Sequence, residues 1–225
     1  MKKPFLSPSS LGLFKDCPRC FYREKVMQIK RPSGPFPSVT RGIDETMKAN
    51  HDHHRPMRET ADMMTELTGS TLYPDQANLA TWRNWRSGLK ADYPTFTVGG
   101  AVDDVIVEDG LTYSPYDYKS RGSEPPEGYA EKYYLHQMDV YALLLRENGM
   151  RPSGHAHLRF VWPIHDPKVD NGLRFKGKFV TVQVDPDRGL DLASRAAACL
   201  AGSAAPASGE ECSFCDFIRK VGEAL

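Results

Sequence analysis

Apolar and polar positions change period along the chain, and the changes mark out its elements. Ser7 can cap a helix and Pro8 suits its first position. Leu11 and Phe14, with Leu13 beside them, make an apolar stripe that ends near Cys17-Pro18. A proline-rich link follows, Arg31 to Pro37. Helical spacing then resumes from Ser38 into a histidine cluster and again from Asp75 to Asp92, through Leu79, Trp82, Trp85 and Leu89. From Phe96 to Val107 the pattern is strand-like. Asp109-Gly110 is a hairpin signal and Leu111 to Lys119 is the return strand. After a loop at Arg121–Gly128, Tyr133 to Asn148 is helical, with Tyr134, Met138, Tyr141, Leu144 and Leu145 on one side. His155 to Pro163 is extended, Asp170-Asn171-Gly172 is a turn, and Phe175 to Val184 is a further strand. Asp185-Pro186 opens an alanine-rich helix to about Leu200, ahead of a small-residue linker. A strand that follows a long helix joins an earlier strand in parallel through a right-handed crossover, so the expected fold is a mixed sheet flanked by helices.

Composition narrows the class. With 225 residues, 40% apolar and 26% charged, the chain fits a soluble globular protein and excludes a fibre or a disordered polymer. No apolar run is long enough for a bilayer, and Met1-Lys2-Lys3-Pro4 does not lead into a signal peptide, so no membrane partner is expected. The 29 basic residues balance 29 acidic ones, so any nucleic-acid site must be a local patch. Residues 1–31 offer one: eight lysines and arginines against Asp16 and Glu24, interleaved with Phe5, Phe14, Phe21 and Tyr22. A solvated helix face that keeps the chain soluble is the plainer account of that patch. Five cysteines without an export signal point to a reducing, cytoplasmic compartment, where thiols serve as ligands. Cys199 reads as a small buried hydrophobe. The others form two equally spaced pairs, Cys17-Pro-Arg-Cys20 and Cys212-Ser-Phe-Cys215.

The hairpin carries the sharpest chemistry. Asp117 and Lys119 are two apart on a strand and share a face, while Tyr118 points to the other. A carboxylate from the neighbouring strand, Asp103 or Asp104, would complete two acids and a lysine. That set suits a hard divalent cation and phosphodiester hydrolysis. A solvated strand is the plain alternative. The order Gly100-Ala101-Val102-Asp103, Asp117-Tyr118-Lys119 and Gln137-Met138-Asp139-Val140-Tyr141 resembles the PD-(D/E)XK nucleases of the RecB-like type. Leu6-Ser7-Pro8-Ser9-Ser10-Leu11 with Phe14, Cys17 and Pro18 resembles the opening helix of that family, including its AddB-like and CRISPR-associated exonuclease branches. The likeness spans roughly residues 5–217. It implies an α/β fold with an αβββαβ restriction-endonuclease-like core and an N-terminal helical region. One nuclease-like domain over 1–225 is expected: 1–95 mainly helical, 96–185 the sheet core, and 186–225 a C-terminal helix and cysteine tail.

The resemblance further implies that Asp103, Asp117 and Lys119 carry catalysis with Mg²⁺ or Mn²⁺, supported by Gln137 and Tyr141. The expected function is a DNA nuclease, an exonuclease above all, in repair, recombination or foreign-DNA processing. DNA is the partner, with a helicase or recombination complex a further candidate. A two-residue turn at Asp109-Gly110 pairs Glu108 with Leu111 and sets Asp104, not Asp103, on the face of Asp117. A one-residue bulge, which Pro115 hints at, reverses this. The family pattern favours Asp103, with Asp104 as the alternative metal ligand. Relatives carry Gly-X-X-X-His on the second helix, whereas Gly42-Ile43-Asp44-Glu45-Thr46 ends in threonine. Asp44 and Glu45 are candidate substitutes, each otherwise a solvated first-turn acid, and His51, His53 and His54 read as exposed helix-end residues. The threonine keeps open a second function, a catalytically decayed, metal-stapled nucleic-acid-binding module. Relatives also hold a 4Fe–4S cluster on one N-terminal and three C-terminal cysteines. Here the count is two plus two, Cys17, Cys20, Cys212 and Cys215, and Zn²⁺ is the competing ligand.

Overall fold

The computed structural model describes residues 3–32, 34, 38–57, 69–164 and 172–224; most of the proline-rich link and the Asp170-Asn171 turn lie outside them. Among the described residues are eight strands and seven α-helices: β1 (Phe5–Leu6), α1 (Pro8–Asp16), α2 (Pro18–Val26), α3 (Ser38–His54), β2 (Thr71–Leu72), α4 (Gln76–Trp82), β3 (Leu89–Asp92), β4 (Thr97–Gly100), β5 (Asp104–Glu108), β6 (Thr112–Ser120), α5 (Tyr129–Glu147), β7 (His155–Pro163), β8 (Phe175–Gln183), α6 (Pro186–Ala201) and α7 (Ser213–Ala224). The architecture is the mixed α/β restriction-endonuclease-like fold. Its main sheet runs β2-β5-β6-β7-β8. Only β6 and β7 pair in parallel, across the α5 crossover, and the other neighbours are antiparallel.

Helix α1 starts as its sequence dictates. Ser7 and Ser10 cap each other reciprocally and Pro8 occupies the first turn. On one sheet face Leu158, Phe160 and Trp162 of β7 pack with Met138, Tyr141 and Leu145 of α5 and Ala193 of α6 into the main core. On the opposite face Met47 of α3 meets Ile106, Tyr116, Tyr118 and Val161 in a smaller core. The sheet is therefore a middle layer, with α5 on the side of Asp117 and α3 on the side of Tyr118.

Three local expectations are corrected. The stretch 75–92 is not one helix. It stops at Trp82, Trp85 is 72% exposed, and Leu89–Asp92 alternates buried and exposed as a strand paired with Gly100–Thr97. This makes a second sheet, β1-β4-β3, and splits the expected strand 96–107 between two sheets. Gly88 permits the close crossing, because a Cβ there would collide with the Gly100 carbonyl. Secondly, the cysteine tail is helical as α7. Thirdly, Pro115 marks neither a bulge nor an edge; it pairs with Val105 inside β6. The Val105 carbonyl turns outward to the Tyr73 N–H, so this pair exchanges no ladder bonds. The missing Pro115 N–H would point toward β7, whose ladder begins only at Tyr116.

Candidate active site and cysteine centre

Hairpin register decides which acid faces Asp117. Asp109 and Gly110 both have positive φ, 52° and 67°, as the Asp-Gly signal requires, and Leu111 N–H bonds to Glu108 O at 3.0 Å. The ladder, however, pairs Glu108 with Thr112, leaving Leu111 as an extra residue. The expected two-residue register is thus off by one. Continued one step beyond Asp104↔Tyr116, the observed register sets Asp103 across from Asp117.

Asp117 is 1% exposed, beneath α5. Gln137 Nε2 donates to its Oδ1 at 3.2 Å and to the Tyr141 hydroxyl at 2.9 Å, while Lys119 ion-pairs with Oδ2. Both carboxylate oxygens are thus engaged, Oδ1 by the Gln137 amide and Oδ2 by the Lys119 ammonium. Burial lifts the Asp117 carboxyl from its ordinary 3.8 to about 7; Lys119 opposes the rise and the nearby Asp103 carboxylate adds to it. Burial would neutralise Lys119, but Asp117 more than offsets that and keeps the ammonium charged. Burial also raises the Tyr141 hydroxyl well above its usual range, with Asp117 and Asp103 adding to it, so it stays a neutral phenol. Gly100 makes room for this ring: a Cβ there would lie 3.1 Å from Tyr141.

Lys48 of α3 was not anticipated. Its Nζ lies 2.8 Å from Asp103 and 2.7 Å from Asp44. The Asp44–Lys48 spacing is legible in sequence as an i,i+4 pair, but the reach to Asp103 is not. Burial would lower Lys48, yet Asp103 and then Asp44 outweigh it. Thr46 sits on the exposed side of α3 and bonds back to Gly42 O at 2.8 Å; Glu45 pairs with Arg41. A cleft of about 320 Å³ opens between α3 and the end of β6, lined by Thr40, Arg41, Asp44, Met47, Lys119 and Ser120 among others.

Asp104 belongs to a different structure. Fully buried, it accepts from Arg55 Nη2 at 2.6 Å, Arg83 Nη2 at 3.2 Å and the Tyr118 hydroxyl at 2.9 Å, and Asp52 bridges both arginines. His51 is not an exposed helix end. It is buried against Tyr116 and Tyr118, with Nδ1 2.8 Å from Met47 O; His53 is exposed and His54 half-buried. A histidine one helical turn past Met47 faces the same way as Met47, into the smaller core.

At the far end of α1 the four paired cysteines converge. Cys17 Sγ lies 3.8 Å from Cys215 Sγ, and Cys20 Sγ lies 3.6 Å from both Cys212 and Cys215. All four sulfurs fall within 4.8 Å of one another, a group able to bind a metal. Neither pair is a loop knuckle: Cys17 is the N-cap of α2 and Cys212 directly precedes α7. Burial would raise Cys17, but the N–H groups of Gly209 and Cys20 bring it down to about 6. Burial and the neighbouring sulfurs push Cys215 up to about 12, so the four do not all ionise without a cation among them. Arg31 donates to Cys212 Sγ at 3.1 Å and pairs with Asp16, and Arg19 bonds Pro206 O. Part of the basic N-terminal patch is therefore committed to this centre. Cys199 stands apart, half-buried and outside the group. Among the described residues no other trio of histidine, cysteine or carboxylate side chains gathers as closely.

A model of the PD-(D/E)XK nuclease superfamily matches residues 39–219, most of the chain and all of the acidic site. The chain belongs to the PD-(D/E)XK nuclease superfamily. No curated protein matches. Among solved structures, this nuclease is similar to "Crystal structure of SSO0001", with 14% identity, 97% of this chain and 86% of that one covered, and a TM-score of 0.45. It is also similar to a "Putative exonuclease" from Eubacterium rectale, with 9% identity, coverage of 95% and 87%, and a TM-score of 0.47. Among the described residues, no helix of the nuclease is long and apolar enough to cross a membrane.

Proposed function

We propose that this superfamily member is a divalent-metal-dependent DNA nuclease acting as an exonuclease, in DNA repair, recombination or foreign-DNA processing. The observation that carries the reading is Asp117: 1% exposed, set by the hairpin register across from Asp103, and raised to about 7 by burial with Asp103 adding to it. Two carboxylates in that condition fit a hard cation better than they fit each other. Asp103 and Asp117 would hold Mg²⁺ or Mn²⁺, which when bound polarises a phosphoryl oxygen and lowers the pKa of water. Gln137 fixes the Asp117 carboxylate through Oδ1, and Tyr141 fixes Gln137. Lys119, charged at the edge of the cleft, orients the attacking water and offsets charge developing on the phosphate. Arg41 in the cleft wall attracts the phosphate backbone. The cysteine centre is a structural staple remote in sequence from this chemistry.

Thr46, at the position of the family's histidine and bonded back to Gly42 O, supports the second reading, a decayed binding module. Incubating end-labelled single- and double-stranded DNA with Mn²⁺ separates the two. Metal-dependent release of nucleotides from the ends, lost in Asp117→Ala, is expected. Salt-sensitive DNA binding without any cleavage would establish the module instead.

A further inference from the structure

The family likeness implies a 4Fe–4S cluster, and the cysteine geometry does not fit one. A cubane binds its four thiolates to four different iron atoms, with sulfides between them, so the cysteine sulfurs stand well apart around a core several atoms wide. Here all four lie within 4.8 Å of one another. A single tetrahedral ion bonded at about 2.3 Å sets its thiolates about 3.8 Å apart. The sulfur contacts of 3.6, 3.6 and 3.8 Å match that edge.

We propose that Cys17, Cys20, Cys212 and Cys215 bind one Zn²⁺ as a closed structural site, in place of the iron–sulfur cluster. The surroundings agree. Four thiolates around one Zn²⁺ leave an excess of two negative charges, and donors are aimed at the sulfurs: the Gly209 N–H at 3.2 Å from Cys17 and the Arg31 guanidinium at 3.1 Å from Cys212. Both cysteine pairs also sit at helix N-termini, of α2 and α7, where the backbone dipoles favour the anionic sulfurs. Gly209 is held close, because a Cβ there would collide with the Asp16 carbonyl. Three of the four cysteines are buried, and four protein ligands leave no coordination position for substrate.

The full chain, expressed with iron and zinc both supplied and purified without oxygen, tests this directly. One zinc per chain, no acid-labile sulfide and a colourless solution are expected. Exchange of that zinc for Co²⁺ should give the intense visible bands of a tetrahedral cobalt thiolate. Cys212→Ser should lose the zinc, and Arg31→Ala should keep the fold while releasing zinc to a chelator at least several-fold faster. Brown protein with iron and sulfide in equal amounts overturns the proposal, as does wild-type protein that is folded and metal-free. The outcome does not depend on whether the acidic site cleaves DNA.

Discussion

Asp117→Asn should make the protein more stable while removing its activity. Because the folded carboxyl keeps its proton to about pH 7 and an unfolded one only to about 3.8, ionising it works against the folded state. The cost is absent below the unfolded value, grows as pH rises, and is complete above about 7. The gap between the two values corresponds to about 4 kcal/mol at pH 8 and about 2 kcal/mol at pH 5. Asparagine mimics the protonated form, keeps an acceptor for Gln137 and is spared that cost. The attraction of Lys119 is already contained in the raised value, so its loss is not a separate charge against the variant. Urea unfolding, in buffer stripped of divalent ions by a resin so that the cysteine centre is left alone, should show Asp117→Asn more stable by up to about 4 kcal/mol at pH 8. The difference should shrink by about half at pH 5. Added Mn²⁺ should stabilise wild type and not the variant. Equal stability at pH 8, or a gap independent of pH, would refute the account of a carboxylate held in a desolvated site against a like charge.

Asp103→Ala should abolish cleavage and shift stability by less than about 1 kcal/mol, whereas Asp104→Ala should cost about 3–5 kcal/mol by removing the fully buried carboxylate that Arg55, Arg83 and the Tyr118 hydroxyl share. Unfolding midpoints and Mn²⁺-dependent cleavage measured side by side would expose the reverse assignment. Lys48→Met frees Asp103 from a competing cation, so a Mn²⁺ titration at low ionic strength should show a few-fold tighter binding; weaker binding would mean that Lys48 positions Asp103. Cys215→Ser should lower the thermal midpoint, by about 2–5 kcal/mol of stability if the metal acts as a cross-link over nearly the whole chain. Cleavage per folded molecule at low temperature should be unchanged, and an inactive but stable variant would contradict a structural role.

The parts of the site legible in the sequence are those written in short-range pattern. The hairpin, the shared face of Asp117 and Lys119, and the placing of Gln137 and Tyr141 one turn apart on α5 all follow from periods of two and 3.6. The register did not, because a single extra turn residue reverses every face. The one local sign, Leu111, is 71% exposed at a position where a paired strand would not need it. Residues 75–92 carried a helical spacing of Leu and Trp by coincidence. Only the partner strand β4, which no local pattern names, converts Leu89–Asp92 into a strand. The Asp104–Arg55 pair joins residues 49 apart, and Lys48 meets Asp103 across the gap between α3 and the sheet. Such pairings depend on how layers stack. His51 shows the same limit: its polarity reads as surface, and the buried Tyr116 and Tyr118 rings that enclose it come from another element.

The cysteine centre and the acidic site are connected by packing alone. The centre fixes the end of α1 and the start of α2 to α7 through Cys17, Cys20 and the Gly209 N–H. Helix α1 in turn lies on α5: a Cβ at Gly12 would fall 2.7 Å from the His136 ring, and Pro8 and Tyr141 both close on Gly100. Helix α5 then presents Gln137 and Tyr141 to Asp117 from its inner side. His136, between the two helices, is pulled down to about 4 by burial, with Lys15 adding to it, and stays neutral at physiological pH. The joint between α1 and α5 is therefore close-packed around a neutral histidine, with Lys15 of α1 bonding the Lys132 carbonyl of α5 at its rim. A bound metal at the cysteines would hold α5 in place through α1, and the same helix sets the orientation of the Asp117 carboxylate through Gln137. Removing the metal should loosen the wall of the active site before it alters any group that does chemistry, which is why the staple's contribution to cleavage is expected to disappear at temperatures where the fold holds without it.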